Sequence, residues 1–313
     1  MTELQRYLAE EVAEDHADGI LTRREALRRL GLLGVTGAAA ASMLAAFASE
    51  AAATSSRKHS KSRRRSTRGG RNVEWAAIEA QPTTFAGPRG TLMAAWAPAD
   101  RPKGGVLVIH ENRGLTDHIR EVAGRYAAVG YSALALDLLS EEGGTASFPD
   151  EAAVGAALSA IPPERFAEDM KAAVGELKLR VPRKKVAATG FCFGGGMVWL
   201  LLTSGERRLA AAAPFYGPFP EGGELRRSKT AVLGVYAGVD DRVNASREAA
   251  RSAVRDAGLE HQFVTFAGAQ HAFFNDTGPR FHPGAAAEAY RRVVEWFDRF
   301  VAPQGKRGHR KHG

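Results

Sequence analysis

The chain has one cysteine, Cys192, and its neighbours give that thiol a chemical setting. The run from Lys184 to Gly190 (KKVAATG) has the apolar character of a buried strand, and Met197 to Leu202 (MVWLLL) reads as a buried helix. Between them, Gly190-Phe191-Cys192-Phe193-Gly194-Gly195 has the G-x-nucleophile-x-G spacing of a sharp strand-to-helix elbow, with sulfur in place of a hydroxyl. The glycines answer a steric need, because backbone packs closely on both sides of a strained nucleophile. A helix N-terminus aimed at such a turn favours a thiolate and offers the Phe193 amide to a developing oxyanion. A single cysteine is also a common core residue, so the catalytic reading depends on finding a base and an acid that orients it.

Both follow in the chain, each after a later strand. Val239-Asp240-Asp241-Arg242 comes after the apolar run AVLGVYAG, and Ala269-Gln270-His271-Ala272 after HQFVTFAG. Of the nine histidines, His110, His118 and His282 compete with His271, which alone sits in the last strand-to-helix loop. Only one of two adjacent aspartates can face an imidazole. Asp241, third after Gly238, is the expected acid, with Asp240 as the alternative; the other aspartate would serve a turn or cap. Upstream, Ile109-His110-Glu111-Asn112-Arg113-Gly114 closes an earlier strand, where the Asn112 amide is placed to be the second oxyanion donor. Glu111 at this mouth could hydrogen-bond a resting thiol, or be an ordinary loop carboxylate paired with Arg113 or His110.

These loops need a parallel scaffold, and the pattern supplies one. Short apolar runs at 106–109, 132–136, 186–189, 210–215, 232–236 and 263–266 have buried-strand length. Amphipathic segments at 163–180, 244–259 and 283–300 separate or follow them, with Phe166, Met170, Val174 and Leu177 on one helical face of the first. The pattern predicts a mostly parallel α/β sheet with helices on both faces and an antiparallel start at 83–97. A Gly-rich insertion at 140–147 stands near the mouth.

Composition limits the remaining classes. Hydrophobic residues at 44% and charged residues at 25% exclude wholesale disorder and a polytopic membrane protein. One cysteine excludes an intramolecular disulfide and a multi-thiolate metal site. The net charge of +8 equals the eight cations between Thr54 and Arg71 (Arg57, Lys58, Lys61, Arg63, Arg64, Arg65, Arg68, Arg71), so the body of the chain is not a nucleic-acid binder.

The expected organisation is therefore a signal peptide over 1–53, a basic disordered tether over 54–72, one catalytic domain over 73–301 and a basic disordered tail over 302–313. The leader resembles a twin-arginine signal: Arg23-Arg24 and Leu27 precede an uncharged Ala-, Leu- and Gly-rich stretch from Leu30 to Ser49, and small residues Ala51 to Ala53 close it. Uncleaved, it would be a single-span anchor. The export machinery is then a partner, the location is extracytoplasmic, and the tether could meet an anionic envelope surface.

The domain resembles the dienelactone hydrolase family through VLVIHENRGL, ALALDLLS, GFCFGGG, PFYG, the Asp240-Asp241 loop and GAQHAF. The resemblance implies an α/β-hydrolase fold, a Cys192–Asp241–His271 triad, Glu111 as the contact of the resting thiol, and cofactor-free, metal-free hydrolysis of a lactone. The founding enzymes hold a substrate carboxylate with two arginines, one after the corresponding strand end and one four residues beyond the histidine; here Asp137-Leu138-Leu139-Ser140 shows no arginine at its start and Asn275 stands four after His271, which removes bidentate charge recognition. The expected function is hydrolysis of a lactone or activated carboxylic ester. A broad carboxylesterase or thioesterase is the alternative, and a non-catalytic envelope-binding module disagrees with the intact nucleophile, acid and histidine order.

Overall fold

The computed structural model describes residues 1–59, 75–225 and 228–303. Three helices come first: α1 (Glu3–Ala17), α2 (Arg23–Leu32) and α3 (Gly37–His59). The domain follows as β1 (Gln81–Ala86), β2 (Thr91–Ala97), β3 (Gly104–Ile109), α4 (Asp117–Ala128), β4 (Tyr131–Leu136), α5 (Glu151–Ala160), α6 (Pro163–Arg180) and β5 (Val186–Phe191). Its second half is α7 (Phe193–Thr203), β6 (Leu209–Phe215), β7 (Ala231–Val239), α8 (Asp241–Asn244), α9 (Arg247–Asp256), β8 (His261–Gln270) and α10 (Pro283–Phe300).

The eight strands form one sheet in the order β1-β2-β4-β3-β5-β6-β7-β8. β1 and β2 are antiparallel to each other, and β2 to β4; all other pairs are parallel. The central β3, β4 and β5 are buried at every position, which is why their sequences run apolar instead of alternating. Adjacent residues of a strand face opposite sides of a sheet, and β3 uses this with two glycines. A Cβ on Gly104 would meet Val301 beyond α10, whereas one on Gly105 would meet Leu177 of α6. Helices α6 and α10 therefore cover opposite faces. Tyr126 of α4 packs on Tyr290 and Phe297 of α10, and Phe166 of α6 packs on Phe193 of α7, so each face carries a pair. This is the α/β-hydrolase architecture.

The insertion after β4 folds as two short 3₁₀ turns at 140–142 and 145–147. Asp137 fixes it, accepting from the Leu139 and Thr145 amides and the Thr145 hydroxyl at 2.7–3.0 Å.

The N-terminal region differs from the sequence expectation. α1 starts with a capping box, Thr2 accepting from the Gln5 amide while the Gln5 side chain accepts from the Thr2 amide. Its Leu8, Ala9 and Ala13 are buried, as are Ala26 and Leu30 of α2 and Ala40 and Leu44 of α3. These three helices thus pack as one unit against the α/β domain. α3 continues to His59, so the stretch expected to be a disordered tether from Thr54 begins inside a helix; residues 60–72 and the tail beyond 303 lie outside the described residues. Among the described residues, no helix is long and apolar enough to cross a membrane.

Candidate active site

Cys192 follows β5 and caps α7 with φ 57° and ψ −120°, a conformation that L-residues rarely adopt. The surrounding glycines show how it is held. A Cβ on Gly190 would lie 2.2 Å from the Gly194 carbonyl oxygen, one on Gly194 would lie 2.5 Å from that of His110, and one on Gly195 would lie 2.2 Å from that of Phe215. The elbow is wedged between β3, β5 and β6, and no larger residue fits. Phe193 is the first residue of α7, so its amide is one of the helix-terminal donors without an intrahelical acceptor. Asn112, in the loop after β3, lines the same small void as Cys192.

His271 lies just past β8, fully buried, and its Nδ1–H donates to Asp240 Oδ2 at 2.7 Å. The carboxylate that meets the imidazole is therefore that of Asp240 and not, as expected, that of Asp241. Asp240 is the N-cap of α8: its Oδ1 accepts from the Val243 amide at 3.2 Å while Oδ2 serves the imidazole, so one buried carboxylate does both jobs. Asp241 has already entered the helix, where its side chain is turned to solvent. Burial opposes a charged imidazole, but the Asp240 carboxylate outweighs it and holds His271 well above its ordinary pKa. Burial likewise opposes an ionised Asp240, yet His271 keeps that carboxyl below its ordinary value.

Of the competing histidines, His110 Nε2 accepts from the Leu138 amide, which leaves Nδ1 as the donor to the Glu111 carbonyl: a neutral ring bracing the first loop. His118 pairs with Asp276, which also holds the buried Arg125, and His282 caps α10.

Glu111 is not the contact of the thiol. Its Oε2 accepts from Asn275 Nδ2 at 2.6 Å, which commits the carboxylate away from the sulfur. The thiol instead donates to Glu11 of α1, with Sγ 3.2 Å from Oε1 and 3.4 Å from Oε2. Tyr7 Oη lies 3.5 Å from the same sulfur. Burial and the Glu11 carboxylate push the Cys192 thiol up to about 11, so it rests protonated. His271 Nε2 makes no hydrogen bond, and a nitrogen of its ring lies within 4.8 Å of both the sulfur and the Glu11 carboxylate. Glu11, Cys192 and His271 are the one group of the described residues that could hold a metal ion. Sequence reasoning missed Glu11 and Tyr7. The available signal was the acidic face Glu11, Glu14, Asp15 and Asp18, spaced three and four apart on a helix.

A model of the dienelactone hydrolase family matches residues 92–301. An Escherichia coli O157:H7 protein assigned as a carboxymethylenebutenolidase is 30% identical over 215 residues, which cover 64% of this chain and 79% of that protein. A protein of the same assignment from Saccharolobus solfataricus is 29% identical over 243 residues, 66% of this chain and 94% of its own length. Among solved structures, a Klebsiella pneumoniae protein assigned as a dienelactone hydrolase superposes with a TM-score of 0.63 at 27% identity, covering 72% of this chain and all of its own. The metagenomic P91, described as a dienelactone hydrolase-like promiscuous phosphotriesterase, superposes equally well at 25% identity over the same shares. With a single α/β-hydrolase domain whose elbow, imidazole and acid stand at the carboxyl ends of β5, β8 and β7, the chain belongs to the dienelactone hydrolase family, hydrolases that act on ester bonds.

Proposed function

We propose that the protein cleaves a lactone or activated carboxylic ester through a thioester on Cys192. His271 Nε2 takes the thiol proton as Sγ attacks the carbonyl carbon, and the Phe193 and Asn112 amides receive the oxyanion. The imidazolium returns the proton to the departing alkoxide. A water, deprotonated by the same nitrogen, then releases the acid and restores the thiol. Asp240 holds the imidazole with Nε2 free to act. The observation that carries this reading is the positive-φ Cys192 in its glycine vice, with an imidazole 4.8 Å or less away whose other nitrogen is fixed by a buried carboxylate.

The substrate class follows from two occupied positions. No arginine stands at 137–140, and Asn275, neutral and bonded to Glu111, stands four after His271, so these two places offer no cation to a substrate carboxylate. Neutral lactones and esters should compete well with anionic ones; a strong preference for an anionic lactone over its neutral ester would assign the clamp to Arg113 or Arg280, which line the void beside Cys192. The test is a panel of both with wild type and Cys192→Ala, together with mass spectrometry of the Cys192 peptide for trapped acyl groups. Turnover retained in Cys192→Ala would refute the thioester route.

We propose also that the protein is exported by the twin-arginine route. Arg23 and Arg24 are the first residues of α2 and are exposed, so a recognition partner can reach them while the leader is folded. Arg23→Lys/Arg24→Lys should leave the precursor in the cytoplasm; unchanged fractionation would reject export by this route.

A further inference from the structure

In the structure the active site is closed by the protein's own N-terminus. Glu11, 7% exposed, sits with a carboxylate oxygen 3.2 Å from Cys192 Sγ. That is the separation, about 3–3.5 Å, which a reacting carbonyl carbon must reach. A substrate acyl group and Glu11 cannot both be there. Beside them remains a void of about 30 Å³, between Glu11 and Asp15 of α1 and the Glu111, Asn112, Arg280 side, with room for water and not for an ester.

The contact is built on more than Glu11. Arg242, next to the α8 cap, pairs with Glu14 at 3.2 Å and lies 4.4 Å from the Tyr7 ring centroid. Arg280, in the loop after β8, pairs with Asp15 and Asp18 at 2.7 Å each. Gln270 donates to Asp18, and the Glu221 amide to Glu3. Both arginines are almost wholly covered. Three carboxylates of α1 and its C-cap, Glu14, Asp15 and Asp18, thus meet two arginines at the rim of the active-site mouth.

We propose that the active-site mouth is a docking surface for residues 3–17 of this chain, and that α1 seated there keeps the hydrolase latent until it is displaced. The proposal rests on Cys192 being the nucleophile argued above. The thiol hydrogen is engaged by Glu11 and not by His271, which must receive it, so the docked state is idle chemically as well as blocked. Since the segment carrying the plug also leads into Arg23-Arg24, export leader and inhibitor would be one piece of chain.

The test breaks the rim far from the sulfur. In Asp15→Arg/Asp18→Arg, Arg280 faces like charges, and the open fraction should rise about tenfold or more. Iodoacetamide labelling of Cys192 and kcat/KM both scale with that fraction and should rise by the same factor, while amides of residues 3–17 exchange hydrogen faster. Adding Arg280→Asp restores opposite charges and should restore latency, which general damage to the fold would not do. For wild type, raising the salt towards 1 M screens the rim and should speed labelling. If the double variant does not fold, this wild-type measurement decides. Faster labelling without hydrolysis of any ester would support the plug and place the failure in the proposed activity. Labelling that is unchanged, or turnover that falls, in a folded charge-reversed variant would overturn the proposal, as would salt-independent labelling of wild type.

Discussion

Replacing Asp240 with Asn separates the two aspartates sharply. The wild-type bond from His271 Nδ1–H to Oδ2 is 2.7 Å long, charge-assisted and wholly buried. Asparagine keeps an oxygen for the Val243 amide, so the α8 cap survives. The remaining NH₂ cannot accept from Nδ1–H. The imidazole then either loses the contact or moves its proton to Nε2, where it can no longer serve as a base. A change of this kind in a Ser-His-Asp site costs about 10⁴-fold in kcat, which at 1.36 kcal/mol per decade is about 5.4 kcal/mol. Asp240→Asn should therefore lower kcat by about 10³–10⁴-fold on an activated ester. Asp241→Asn, on the exposed surface, should stay within about twofold. A pH signature accompanies the loss. Because Asp240 is the group that raises the His271 pKa, removing it lowers that pKa, and the rising limb of the pH–rate profile should move to lower pH. Both variants would be compared by stopped-flow ester hydrolysis across pH, with near-identical circular dichroism as the control. A full rate in Asp240→Asn with a large loss in Asp241→Asn would refute the assignment.

Three further outcomes follow. Gly194→Ala should destabilise by about 1–3 kcal/mol in urea titration, since its Cβ would meet the His110 and Ile109 carbonyl oxygens at 2.5 Å. Glu11→Gln should move the pH midpoint of Cys192 alkylation below that of wild type, because the lost carboxylate had opposed the thiolate; an unmoved midpoint would show that Glu11 does not raise the thiol pKa. Burial raises the Asp276 pKa but His118 and Arg125 outweigh it, bringing it to about 2. That value is below the ~3.9 of an unfolded chain, so this stabilisation is complete above ~4 and is lost as pH falls towards 2. Asp276→Asn should flatten the acid limb of the urea midpoint in that window.

The sheet was legible because its signals are local. β3 to β8 each coincide with an apolar run of strand length, and α6 and α10 occupy the amphipathic segments 163–180 and 283–300 residue for residue. The elbow was legible for the same reason, its constraint being steric and written in four nearby glycines. The choice between Asp240 and Asp241 was not. It turns on where α8 begins, and a four-residue helix has too little periodicity to show its first residue. The pairing of Glu111 with Asn275 was hidden differently, since it joins loops 164 residues apart that meet only once the sheet has formed.

The N-terminal segment shows the limit of composition as a guide. Its paired arginines and mild apolar stretch read as a leader, and a leader read alone carries no expectation of a tertiary partner. Yet Tyr7, Leu8, Glu11 and Asp15 fall at spacings of one, three and four, a single helical surface holding both apolar and acidic groups. A face that bears buried carboxylates requires cations to meet them. Arg242 acts on Asp240 and Arg280 lines the void beside Cys192, and both find their carboxylates in the N-terminal segment. The two halves of this electrostatic match lie more than 220 residues apart, so each alone resembles ordinary surface charge. Only the assembled mouth gives the acidic helix its complement, which is why the plug emerges from the structure and not from either segment.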